Sequence, residues 1–207
     1  MVLLTGCPRS GTTAAAKILR LDYGPDADLG AVVGSEWQTY MEHRSFADTS
    51  ERLLGSGGGS WLDTPDLVLG DVVKADRLPP AVKDPRICLT FPSWRRCVAV
   101  DDVVMVVREP SQNVGALQAF TGVLAPRGYA IWKRFNGDMW LWHCAYPGTR
   151  FHVVESGDRA GFERVGRALG CEVDWSFFDR DKVTRYPEEE VMPPGILELW
   201  LMLKGVT

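Results

Sequence analysis

The chain has 207 residues, of which 45% are hydrophobic and 24% charged, the make-up of an ordinary globular protein able to bury a sizeable core. A formal net charge of −4 argues against a non-specific nucleic-acid binder, which needs a broad basic face, but leaves room for a small basic pocket. Five cysteines lie far apart, with no Cys-x-x-Cys pair and no zinc-type His/Cys spacing, so a disulfide framework and a zinc site are not expected and a reducing compartment is favoured.

In chain order, the first predicted element is a short strand at about 2–5, followed by a loop at 6–11 and a helix over 12–21. Leu4-Thr5-Gly6-Cys7 looks like a lipoprotein cleavage box, but no basic or long apolar stretch precedes it, so the expectation is a cytoplasmic protein without an N-terminal anchor. No segment approaches the ~18 apolar residues of a membrane span. A helix is expected over 43–54, with Phe46, Leu53 and Leu54 as its apolar residues. Gly55-Ser56-Gly57-Gly58-Gly59-Ser60 reads as a flexible loop, either bordering an acceptor site or simply connecting two elements. Further strands are expected at 80–83 and 103–107, and a less secure one at 151–155, with 31–33 and 67–69 as weaker candidates. Val103-Val104-Met105-Val106-Val107 is apolar throughout, as suits a strand covered on both faces.

Pro110 opens a predicted helix over 110–121. The next, over 128–145, carries Ile131, Phe135, Met139 and Trp142 as an apolar stripe. A helix over 158–169 ends at Gly170 as its C-cap, and Pro193-Pro194 opens a last one through Ile196, Leu199, Trp200 and Leu203. Strands alternating with helices predict one three-layer α/β/α domain over 1–207 with a mainly parallel sheet. Ligands are then expected at the carboxyl ends of the strands.

The loop carries the most chemistry. Gly6-Cys7-Pro8-Arg9-Ser10-Gly11-Thr12-Thr13 joins an apolar strand to a helix start, where unpaired N–H groups and the helix dipole favour an anion. Gly6 and Gly11 let the backbone close on phosphate oxygens, and Ser10, Thr12 and Thr13 add hydroxyls. An ATP-type loop needs Gly-Lys-Ser/Thr. Here Thr12 stands in the Lys position and the cation has moved to Arg9, which points to a phosphate-bearing ligand not hydrolysed as ATP·Mg.

This loop resembles the 5′-phosphosulfate loop of sulfotransferases that use 3′-phosphoadenosine 5′-phosphosulfate (PAPS), in which the pattern is Pro-Arg/Lys-Ser-Gly-Thr-Thr/Ser. Three more segments extend the resemblance. Residues 40–61, from Tyr40-Met41-Glu42-His43-Arg44 through Leu53-Leu54 to Trp61, look like the Tyr-Phe-Glu-(His/Asp)-Arg…Leu-Leu…Gly-x-Trp stretch of bacterial members. Val82-Lys83-Asp84-Pro85-Arg86 looks like the family's Lys-Asp-Pro segment, and Met105-Val106-Val107-Arg108 like the strand whose final Arg grips the 3′-phosphate. The resemblance implies a P-loop-like sulfotransferase fold and transfer of a sulfuryl group from PAPS to a hydroxyl or amine, with release of 3′-phosphoadenosine 5′-phosphate (PAP).

It also implies roles. Pro8, Arg9, Ser10, Gly11, Thr12, Thr13 and Arg108 would hold the cofactor, and Arg9 and Lys83 would act on the transferring group. Asp84 and Arg86 would take part directly or position Lys83. Glu42 is the first choice for the base that takes the acceptor's proton, with Glu36 and His43 as alternatives. His143 and His152 are expected to be structural. Trp132, Phe135, Trp140 and Trp142 suit either core or an acceptor pocket, and Trp37, Tyr40 and Trp61 are better pocket candidates because they flank the base. No metal is required if side chains supply the positive field.

The chain departs from the family at Ala116, where a Ser eight residues after the strand-end Arg usually helps to hold the 3′-phosphate. Ser111 and Asn113 are near but out of register. Ala14 stands where cytosolic members stack a Trp on adenine. Two other readings therefore stay open, a non-catalytic nucleotide-binding protein of the same fold and a P-loop small-molecule kinase. The acceptor, whether small molecule, glycan, lipid or peptide tyrosine, is not written in the fold, and neither is the oligomeric state.

Overall fold

Four short apolar runs pair side by side as parallel strands: β1 (Val2–Thr5), β2 (Ala81–Lys83), β3 (Asp102–Val107) and β4 (Arg150–Glu155). The computed structural model describes residues 1–24, 42–63, 78–178 and 192–205. The candidate strands at 31–33 and 67–69, and Glu36, Trp37 and Tyr40, lie outside them. The strand order is β2-β1-β3-β4. Leu3 registers with Val82 on one side and Val103 on the other, and Met105 with Val153.

The described helices are α1 (Thr12–Ile18), α2 (Arg44–Ser56), α3 (Ile87–Cys97), α4 (Pro110–Thr121), α5 (Ala125–Ala145), α6 (Arg159–Leu169) and α7 (Ile196–Lys204). They cover both faces of the sheet. Leu3, Val82, Val103, Met105 and Val153 pack with residues of α2, α3, α4, α5 and α7. Leu4, Ala81, Val104, Val106 and Val154 pack with residues of α1 and α6. This is a three-layer α/β/α arrangement on an all-parallel sheet, and it explains why all six residues of β3 are buried.

Helix ends follow local chemistry. α4 starts at Pro110, capped by the Glu109 carboxylate accepting from Gln112 N, and stops at Gly122 with φ of 73°. α6 stops at Gly170 with φ of 66°. α1 is shorter than its predicted range of 12–21 because Arg20 turns to a positive φ of 40°. α2 runs through Gly55 and Ser56, so the glycine-rich connection begins only at Gly57. α5 starts at Ala125, three residues before the predicted 128, because Pro126 fits a first turn. α7 begins at Ile196, after a left-handed Gly195, rather than at the two prolines.

α3 has no counterpart in the elements read from sequence. Pro92 sits inside it, and every residue from Ile87 to Trp94 is buried. Proline removes the bond that would reach the carbonyl four residues back. That carbonyl, on Cys88, accepts instead from Trp142 Nε1 at 3.2 Å. A tertiary contact thus satisfies the group that the local sequence leaves unpaired. No described helix is long and apolar enough to cross a membrane.

Candidate active site

β1 and β3 are neighbours, yet the helices that follow them lie on opposite faces, α1 on one and α4 on the other. Such a divergence is where α/β sheets take their ligands, at the carboxyl ends of the strands. The 6–11 loop follows β1 there, and Arg108 follows β3. The Asn113 side-chain amide donates to the Pro8 carbonyl at 2.8 Å, and Arg108 donates to the Arg9 carbonyl at 3.4 Å. Trp132 Nε1 in turn donates to the Arg108 carbonyl at 3.2 Å. The predicted loop residues and Arg108 are therefore brought together.

The loop's conformation is demanding. Arg9 has φ of 69° and Gly11 φ of 97°, the left-handed region that L side chains seldom enter. A Cβ on Gly6 would stand 2.3 Å from the Val106 carbonyl oxygen, so only glycine lets β1 leave the sheet this close to β3. A Cβ on Gly11 would stand 2.6 Å from Ser156 Oγ, which places the residue after β4 against the loop. The Ser10 hydroxyl is buried and has no hydrogen-bond partner. A buried polar atom left open in a glycine-lined loop fits an anionic group with oxygen acceptors. The Arg9 guanidinium carbon lies 4.7 Å from the centre of the Phe120 ring on α4.

The second cluster lies beyond the end of β2. Lys83, the strand's last residue, is buried, and its ammonium donates to Glu42 Oε1 at 2.9 Å. Arg86 donates to Glu42 Oε2 at 2.6 Å, to Glu51 at 2.6 Å and through Nε to Asp84 Oδ1 at 2.7 Å. Asp84 is fully buried, and its backbone N–H donates to the Leu4 carbonyl at 3.1 Å. Burial first, and Asp84 second, push the Glu42 carboxyl above the usual range, against the pull of Lys83 and Arg86. Burial pushes the Lys83 ammonium down. Burial also works against the Arg86 charge, but Asp84 and Glu42 outweigh it and hold the guanidinium protonated. A carboxyl raised toward neutrality beside a lysine lowered toward it is a pair suited to moving a proton.

Glu42 and Lys83 thus meet directly, although 41 positions apart in the chain. His43 does not join them: its Nδ1 lies 2.8 Å from Ser45 Oγ and its ring meets Phe46 edge-on. His152 Nε2 lies 2.9 Å from the Asp102 carboxylate, and the His143 ring packs on Trp140 and Phe151. Trp132 and Phe135 are fully buried and belong to the core. Trp61, Trp140 and Trp142 pack on it while partly exposed. Cys7 is fully buried, and burial pushes its thiol up, the opposite of an activated nucleophile.

Ala116 is buried in α4. Its out-of-register neighbours are engaged elsewhere, Ser111 donating to Glu109 and Asn113 to Pro8. Two residues of the site escape sequence reasoning. Glu51 sits mid-helix with no local sign of its long-range partner, and Ser156 follows a strand in a plain Ser-Gly turn. The Asp-Pro-Arg spacing does carry a signal: Asp84 Oδ1 accepts from Arg86 N at 2.9 Å, the turn that an Asp favours two residues ahead. Among the described residues no group of three His, Cys, Asp or Glu side chains gathers to hold a metal ion. Compared with family models, curated proteins and solved structures, the chain matches none of them.

Proposed function

We propose that the protein is a PAPS-dependent sulfotransferase that transfers a sulfuryl group to a hydroxyl or amine of a small-molecule, glycan or lipid acceptor and releases PAP. The observation that carries this reading is the direct Glu42–Lys83 contact beyond β2, on the same sheet edge as the glycine-lined loop after β1 and Arg108 after β3. PAPS supplies the activated sulfuryl group. The loop from Pro8 to Thr13 and Arg108 would hold its phosphates, with the open Ser10 hydroxyl as one donor. Glu42 would take the acceptor's proton, and Lys83 and Arg9 would offset the negative charge that builds as the bond to the phosphate breaks. The Arg9 guanidinium presents a planar fork to oxyanions.

A second reading is favoured by Ala116 and by the engagement of Ser111 and Asn113: a nucleotide-binding protein of the same fold that performs no transfer. Calorimetric titration with PAP, with ATP·Mg as the comparison, tests the cofactor class. Micromolar or tighter PAP binding without magnesium supports the sulfotransferase reading, and a PAPS acceptor screen then separates it from the non-catalytic one. Preference for ATP·Mg overturns both in favour of a kinase. Binding of neither overturns the cofactor assignment.

A further inference from the structure

We infer that Arg86 is a positioning residue for Glu42, clamping one carboxylate oxygen so that the other is held against the Lys83 ammonium. The inference rests on the reading of Glu42 as the base. Arg86 is itself immobilised before it reaches Glu42. Its backbone N–H and its Nε both bind Asp84 Oδ1, at 2.9 Å and 2.7 Å, and one terminal nitrogen binds Glu51 at 2.6 Å. Only the other terminal nitrogen is directed at Glu42, meeting Oε2 at 2.6 Å. Lys83 takes Oε1 at 2.9 Å.

The geometry divides the labour. A carboxylate on a flexible Glu side chain ordinarily exchanges its two oxygens by rotation. Here one nitrogen of an immobilised guanidinium holds Oε2 while the Lys83 ammonium holds Oε1, and the two contacts together fix the plane of the group. Oε1, on the Lys83 side, would then be the oxygen that takes the acceptor's proton. Lys83, Arg86 and Asp84 act most strongly on Glu42, and Glu51 on α2 shares the Arg86 guanidinium with it. Without Arg86, Glu42 keeps Lys83 as its cation but gains the uncompensated negative charge of Asp84. Its carboxyl then holds its proton to higher pH. A lysine at position 86 would keep the charge but lose the three-way fork.

The test compares the parent with Arg86→Gln and Arg86→Lys. Glu42 is followed by NMR of carboxyl-labelled glutamate across pH, PAP binding by calorimetry, and turnover by PAP release from PAPS across pH. In Arg86→Gln the Glu42 midpoint should rise by about one pH unit or more. The acid limb of the pH–rate profile should rise with it, and Arg86→Lys should return both partway. PAP affinity should stay within about threefold of the parent, since no observed contact joins Arg86 to the loop. An unmoved Glu42 midpoint in a variant with native near-UV dichroism overturns the inference. A moved midpoint with an unmoved acid limb supports the grip of Arg86 on Glu42 and overturns instead the reading of Glu42 as the base. If Arg86→Gln does not fold, Arg86→Lys decides alone by the same comparison with the parent. Absence of PAP binding in the parent itself overturns the sulfotransferase reading instead, while the NMR titration still reports whether Arg86 grips Glu42.

Discussion

Glu42 is the residue on which the proposed chemistry turns, and its environment makes the direction of its pH dependence definite. Burial and Asp84 raise its carboxyl above the ordinary range. A base works only when deprotonated, so transfer should climb with pH through that raised value and then level off. Glu42→Gln should remove the climb and lower turnover by about 100-fold or more, with PAP affinity little changed. Arg9→Ala should abolish transfer and strongly weaken PAP binding in a calorimetric titration. Unchanged binding would show that the loop does not hold the phosphosulfate.

Asp102 gives a separate residue-scale prediction at the opposite edge of the sheet. Its buried carboxylate accepts from Arg150 Nε and a terminal Arg150 nitrogen, each at 2.7 Å, and lies 2.9 Å from His152 Nε2. The Arg150 hydrogen bond, the largest cause, pulls the carboxyl below its usual range, and His152 adds to it. A depressed carboxyl stabilises the fold above its unfolded value, and that contribution is lost as pH falls through the folded one. Asp102→Asn should therefore cost on the order of 1–3 kcal/mol at pH 7 in urea unfolding. The gap to the parent should narrow toward pH 3.

At the scale of elements, the loop after β1 depends on glycine for reasons of space. Gly6→Ala forces a methyl to within 2.3 Å of a backbone oxygen of β3, which cannot move without disturbing the central pair. The expected cost is about 1–3 kcal/mol in denaturant unfolding, with PAP binding reduced because the loop must shift. Much of this element was legible beforehand: the apolar run of β1, the glycines and the hydroxyls mark strand, loop and helix in one short stretch. The limits of α4 were equally legible, because Pro110 and Gly122 set them locally. α3 was not. Its residues from Ile87 to Trp94 are buried on all sides, so no apolar stripe marks it, and its internal Pro92 reads as a breaker. The Trp142 indole, 54 positions away, satisfies the carbonyl that Pro92 leaves unpaired.

At the scale of the molecule, two apolar layers hold the sheet so that its carboxyl edge can carry charge. Trp132 links the larger layer to the site, being fully buried among α5 residues while its indole binds the Arg108 carbonyl. Trp132→Ala should cost about 3–5 kcal/mol, seen as a lower urea midpoint. It should also weaken PAP binding, by releasing the end of β3.

Strand runs, helix punctuation and the α/β alternation follow from patterns within a few residues, and the sequence by itself determined them. It likewise determined the composition of the loop and the presence of Glu42, Lys83, Arg86 and Arg108. What only the tertiary structure decided is who meets whom. Glu42, before α2, reaches Lys83 at the end of β2 because both segments close on one edge of the sheet. Arg86 divides itself among three carboxylates, and Asn113 and Arg108 bind the backbone of the loop. These contacts join residues up to 105 positions apart. Periodicity and capping are properties of neighbours along the chain, whereas an ion pair across a sheet edge depends on strand order and on which face each helix covers.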